Sequence, residues 1–100
     1  MRMMMKVSIP VESGNRGIVE GTLPKTIMGF VEQYKPEGAF FTAQGGERTA
    51  FFFFDMKDNA TIPVICEPFF AQLNARIELT PAMNVEDMKS GVERATKKAY

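Results

Sequence analysis

The sequence predicts an α+β fold, a small antiparallel sheet with helices packed on one face, and three observations carry that expectation. Apolar and polar residues alternate over 2–10 and again over 75–80, the period of a strand with one buried side. Two intervening stretches, from Leu23 and from Ile62, repeat their apolar residues every three or four positions, the period of an amphipathic helix. Gly45 and Gly46 separate two further strand-like runs, and this dipeptide supplies the positive φ angles of a tight hairpin turn. At 100 residues, 45% of them apolar, the chain suits one domain, spanning 1–100.

Taken in order, the first segment places Met3, Met5, Val7 and Ile9 on one face and Arg2, Met4, Lys6 and Ser8 on the other, and Pro10 ends it. Ser13 to Gly21 reads as a separate, weaker helical turn, with Ser13 as a capping residue and Gly17 and Gly21 loosening it. A helix then carries Leu23, Ile27, Phe30, Val31 and Tyr34, with Pro24 in its first turn and Pro36 as its stop. The hairpin pairs Ala39–Gln44 with Arg48–Phe54.

A second helix is marked by Ile62, Ile65, Cys66, Phe69, Phe70 and Leu73, with Thr61 as its expected cap. Pro68 lies inside it. A proline there removes a backbone hydrogen bond and crowds the preceding turn at about 3 kcal/mol, so a kink or a split is expected. The last strand, Ala75–Thr80, sets Ile77 and Leu79 against Arg76, Glu78 and Thr80. Asn84 caps a short amphipathic helix bearing Val85, Met88 and Val92, and the tail over 97–100 is expected to fray.

The order strand, helix, strand, strand, helix, strand is that of a ferredoxin-like βαββαβ sheet, here with an added C-terminal helix. The first and third strands are then central. In the third, Phe51, Phe52, Phe53 and Phe54 put two rings on each face. Helices cover only one face, and exposing a phenylalanine forfeits roughly 1.5 to 3 kcal/mol, so the other face needs a cover of its own. A second copy of the sheet is the simplest one, which makes all four phenylalanines candidates for a dimer interface.

In element order, in this doubly apolar strand, in its glycine hairpin and in the helix after Pro81, nearly the whole chain resembles the dimeric α+β-barrel superfamily. The resemblance implies ferredoxin-like protomers packed sheet against sheet. That superfamily includes cofactor-free monooxygenases, muconolactone isomerase, haem enzymes and effector-binding domains. The chain has no histidine, which sets it apart from the haem branch, and no catalytic residue carries over.

Composition excludes further classes. Twelve basic and twelve acidic residues cancel, with no basic stripe to bind nucleic acid. Without histidine there is no imidazole base, no His-ligated zinc and no Ser/His/Asp triad, so neither a metal nor a cofactor is expected. The single cysteine allows no internal disulfide, and no stretch nears the ~20 apolar residues that span a bilayer. A cytoplasmic protein without a membrane partner is the expectation.

Two side-chain sets near apolar walls are candidate ligand sites. Lys6 lies opposite Arg76 and Glu78 on neighbouring strands, where two cations could hold a small carboxylate; a cross-strand ion pair, contributing roughly 0.2 to 1 kcal/mol, is the more economical account. Tyr34, Cys66, Glu67 and Phe69 mark the seam between helices and sheet. Cys66 as a nucleophile would need an activating base, and as a buried thiol it needs none. The backbone around Ser13–Gly17 resembles an anion-binding turn only loosely, and Arg48 and Asp55 flank the phenylalanine run as charged gatekeepers. The leading functional expectation is a homodimer binding a small, mainly apolar organic molecule. The alternatives are a cofactor-independent oxygenase or isomerase using Glu67 with Tyr34, and an assembly module with no ligand.

Overall fold

The computed structural model describes residues 1–99, and every strand expected from the sequence is present. The elements are β1 (Arg2–Ile9), α1 (Val11–Glu20), α2 (Thr22–Tyr34), β2 (Gly38–Gln44), β3 (Glu47–Asp55), α3 (Thr61–Leu73), β4 (Arg76–Pro81) and α4 (Val85–Ala99). The four strands form one antiparallel sheet in the order β2-β3-β1-β4, with β1 and β3 in the centre. This α+β arrangement is compatible with the ferredoxin-like expectation.

Register divides the phenylalanine run as alternation requires. Phe52 and Phe54 pair with Met5 and Met3 and share their face; Phe51 and Phe53 pair with Lys6 and Met4 on the opposite one. The first face is the core, where α1, α2 and α3 cover Met3, Met5, Val7, Ile9, Phe52 and Phe54 with Phe30, Ile65, Phe69 and Leu73. Phe30 is its hub, its ring centroid 4.8 Å from Phe52, 5.1 Å from Phe54 and 6.1 Å from Phe69. Edge-to-face and tilted contacts at such distances add about 0.5–1.5 kcal/mol per pair beyond the area they bury.

Local chemistry corrects several sequence expectations. The stretch after Pro10 is a full ten-residue helix, not a weak turn, and Pro10 rather than Ser13 is its cap. Ser13 lies inside α1, where its hydroxyl donates to the carbonyl of Leu73 at 2.6 Å and ties α1 to the end of α3. Gly17 does not loosen this helix: a Cβ there would meet Leu73 at 2.9 Å and Leu23 at 3.0 Å, so it is the absent side chain that lets α1 pack closely. At the hairpin, Gly45 and Gly46 both have positive φ (62° and 77°), as a two-residue turn demands.

In α3, Ala60 is the cap, and Thr61 instead donates to the Asp58 carboxylate at 3.2 Å. The helix runs unbroken through Pro68. Proline removes the donor that would serve the Val64 carbonyl, and since both Val64 and Pro68 are exposed, water can take its place. Asn84 does cap α4: its side chain accepts from the Asp87 N–H at 2.7 Å, and Asp87 accepts from the Asn84 N–H at 3.1 Å, a reciprocal capping pair. Helix α4 is longer than expected and includes Lys97; Tyr100, part of the tail expected to fray, lies outside the described residues.

Candidate functional site

The seam between sheet and helices, where the sequence places a pocket, is filled by the Phe30 cluster. Space lies instead on the outer surface of the helical layer. A groove of about 370 Å³ runs between α2 and α3, with Phe30, Tyr34, Ile65 and Phe69 as apolar walls. Lys25, Thr26, Gln33 and Gln72 supply the polar atoms at its margins. Beyond Tyr34 it opens into a cleft of about 510 Å³ that also touches Asp55, Lys57 and Thr61. An apolar trough with a polar mouth is the usual form of a small-molecule site, and the volume lies within the roughly 300–1,000 Å³ range of such sites.

Two residues that disfavour helices make this groove. Gly29 contributes no side chain, and a Cβ built there meets nothing within 4 Å. Pro68 lies across from it on α3, with Val64 one turn before. Gly29, Lys25, Gln33 and Gln72 are absent from the sequence-derived candidates. A glycine and a proline on the exposed sides of two regular apolar repeats are the sequence signal for this groove.

The nominated residues do not converge on one site. Tyr34 and Phe69 line the α2–α3 groove, whereas Cys66 and Glu67 line a separate cleft of about 340 Å³ on the other flank of α3, with Ile77 and Leu79 from β4. Glu67 and Tyr34, the pair considered for acid–base work, are therefore divided between the two sides of α3. Cys66 is buried, and desolvation, followed by the negative charge of Glu67, pushes its thiol above the ordinary range. Both causes oppose the thiolate that nucleophilic chemistry requires.

Lys6, Arg76 and Glu78 lie on the helix-free face of the sheet, with Lys6 opposite Glu78 as register predicts. The Lys6 Nζ is 3.7 Å from Glu78 and 6.0 Å from the centre of the Phe51 ring, and Arg76 pairs with Glu47. These cations are thus already neutralised by carboxylates. Beside them, Phe40, Phe51, Phe53 and Met4 form an apolar corner, and Phe40 is 64% exposed. Of the four phenylalanines nominated for an interface, Phe51 and Phe53 lie on this face, while Phe52 and Phe54 belong to the protomer's own core.

The charges expected to act as gatekeepers have local partners. Arg48 donates to Asn15 at 3.1 Å, and Asp55 accepts from the Met1 ammonium at 2.6 Å, an ion pair that holds the Asp55 carboxyl below its ordinary range. Among the described residues no cluster of three or more His, Cys, Asp or Glu side chains is disposed to hold a metal ion, and no helix is long and apolar enough to cross a membrane. No protein-family model matches the chain, and no curated protein matches it either.

Proposed function

We propose that the protein is a cytoplasmic homodimer of the α+β-barrel type that binds a small, mainly apolar organic molecule in the α2–α3 groove. The groove itself is the observation that carries the binding function. Four apolar walls enclose a trough wide enough for one aromatic or branched aliphatic body, and Lys25 at its margin or Lys57 at its mouth suits a carboxylate on that body. The strand order supports ferredoxin-like protomers, and the apolar corner of the helix-free face supports sheet-to-sheet pairing.

Thermal unfolding with a panel of aromatic and short branched carboxylic acids tests the binding function. A ligand present at a hundred times its Kd adds about 2.7 kcal/mol to stability. Gly29→Leu is the matched control, because Gly29 lines the groove and a Cβ there meets nothing within 4 Å. The expected result is stabilisation of the wild type that Gly29→Leu abolishes. Equal stabilisation of both proteins would assign the ligand to another place.

A second reading, an assembly module with no ligand, is favoured by the filled seam beneath the helices. It is the account that remains if no member of the panel shifts the wild type. An oxygenase or isomerase has less support, because Glu67 and Tyr34 face different clefts.

A further inference from the structure

We infer that α4 is an arm that packs on a second copy of the chain, laying Val85, Met88 and Val92 against the partner's helix-free sheet face. The inference rests on the dimer proposed above and adds to it the element that completes the interface.

The first observation is shape. The radius of gyration is 16.2 Å and the long axis 56 Å, whereas a compact chain of this length has a radius near ~13 Å. Helix α4 accounts for the excess, because among the described residues it makes no extended packing contact with another element of its own chain. Arg2 fixes only its first turn, bonding Asp87 at 3.3 Å while also holding Glu37 at 2.6 Å. The spacing of Val85, Met88 and Val92 puts them on one stripe of α4, and all three are exposed.

The second observation is that such a helix does not sustain itself. Isolated helices of about 12–15 residues are marginal in water, and α4 carries Gly91 in its interior. It needs a surface to lie on.

The third is the size of the face from which it springs. Strands ~4.8 Å apart and rising ~3.3 Å per residue make a four-stranded face only about 20 by 25 Å. A specific interface hides about 800 Å² per partner, and on this face only the Met4, Phe40, Phe51 and Phe53 corner is apolar. The sheet alone falls short, and a reciprocal α4 from each copy enlarges the contact. Charge permits the covering, since the remaining half of the face holds Lys6 with Glu78 and Arg76 with Glu47 as pairs. A shallow cleft formed by Phe40 and Phe53 with Ala82, Met83 and Asn84 places the root of α4 on that same side of the sheet.

Hydrogen exchange of the intact protein, followed at several concentrations beside sedimentation equilibrium, tests the arm. The expected result is a dimer in which protection of the α4 amides rises with the dimer fraction, by tenfold or more between monomer and dimer. A Met88→Asp, Val92→Asp double variant, with far-UV circular dichroism as its folding control, is expected to weaken the dimer at least tenfold. A dimer whose α4 amides exchange as fast as those of the monomer overturns the arm and leaves the sheet interface standing. Protection independent of concentration overturns it too, since α4 would then be folding back on its own chain. A wild type that stays monomeric at roughly 50 µM, a concentration well above a micromolar Kd, overturns the dimer itself and the arm with it.

Discussion

The two faces of the sheet share one run of phenylalanines, whose rings meet different fates. On the helix-covered face, Phe52 and Phe54 are enclosed by Phe30, Phe69 and the first-strand methionines, and Phe52 has no exposed surface. On the other, Phe51 and Phe53 remain half-buried and Phe40 stands mostly in water. A phenylalanine in this strand is therefore enclosed or half-exposed according to its parity alone. Its neighbours in sequence do not distinguish the two roles; its partners across the sheet do.

The largest expected effect breaks that parity. Phe52→Ala should cost about 3–5 kcal/mol in urea unfolding, the usual loss for a large core aromatic, because it empties the centre of the Phe30 cluster. Phe53→Ala, one residue along, should cost the protomer about 1 kcal/mol or less. Equal losses at the two positions would mean that the faces are not different. The next effect lies in association. Phe53→Asp should leave the fold intact and, in the dimer proposed above, shift sedimentation toward monomer by tenfold or more in Kd, since a carboxylate would be buried there unpaired.

A smaller effect sharpens the contrast between the inner and outer surfaces of the helical layer. Gly29→Ala should raise stability by roughly 0.5–1 kcal/mol, because the position is an exposed helix interior with open space above it. Gly17→Ala, on the inner side of α1, should lower it, because its Cβ would press on Leu73. Thermal unfolding of the two variants side by side gives the sign directly.

The smallest effect concerns the rim where both faces end. The Met1 ammonium holds the Asp55 carboxyl below its unfolded value, so this ion pair favours the folded state above the ordinary carboxylate range. That contribution is lost as pH falls through the lowered folded value. Asp55→Asn should lower stability slightly at neutral pH, as befits an exposed pair, and flatten the acid limb of the stability–pH curve, so that the two proteins converge at low pH.

Much of this architecture is legible in the chain. Strand alternation, the glycine hairpin and the capping by Asn84 are local rules, and residues within a few positions of each other enforce them. The pairing of Lys6 with Glu78 also follows once β1 and β4 are neighbours. The candidate site was less legible, because a groove is a property of two helices at once. Tyr34 and Phe69 were within reach of the periodicity, but Gly29 and Pro68 read singly as defects and only together as a gap. The role of Ser13 depended on where the end of α3 arrives, sixty residues away in sequence. The apolar pattern understates the length of α4 for a related reason: its polar outer residues support a helix, as in the Glu93–Lys97 pair at 3.0 Å, without contributing to that pattern.

The hairpin leaves one further consequence at the margin of the sheet. Strand β4 forms one border and reads RIELTP, with two charges and a terminal proline that discourage another strand from adding there. Strand β2 forms the other border and reads GAFFTAQ, with neither charge nor proline and with Phe40 and Phe41 both exposed. Arg48 and Asp55, the charges that flank the aromatic run, sit on β3, a strand already paired on both sides, and so guard no border. The unpaired amides and carbonyls of β2 thus offer a template for open-ended strand addition, and fibrillar aggregation of this protein should begin there. One lysine in place of Thr42, in the middle of that strand, would be the least intrusive way to stop it.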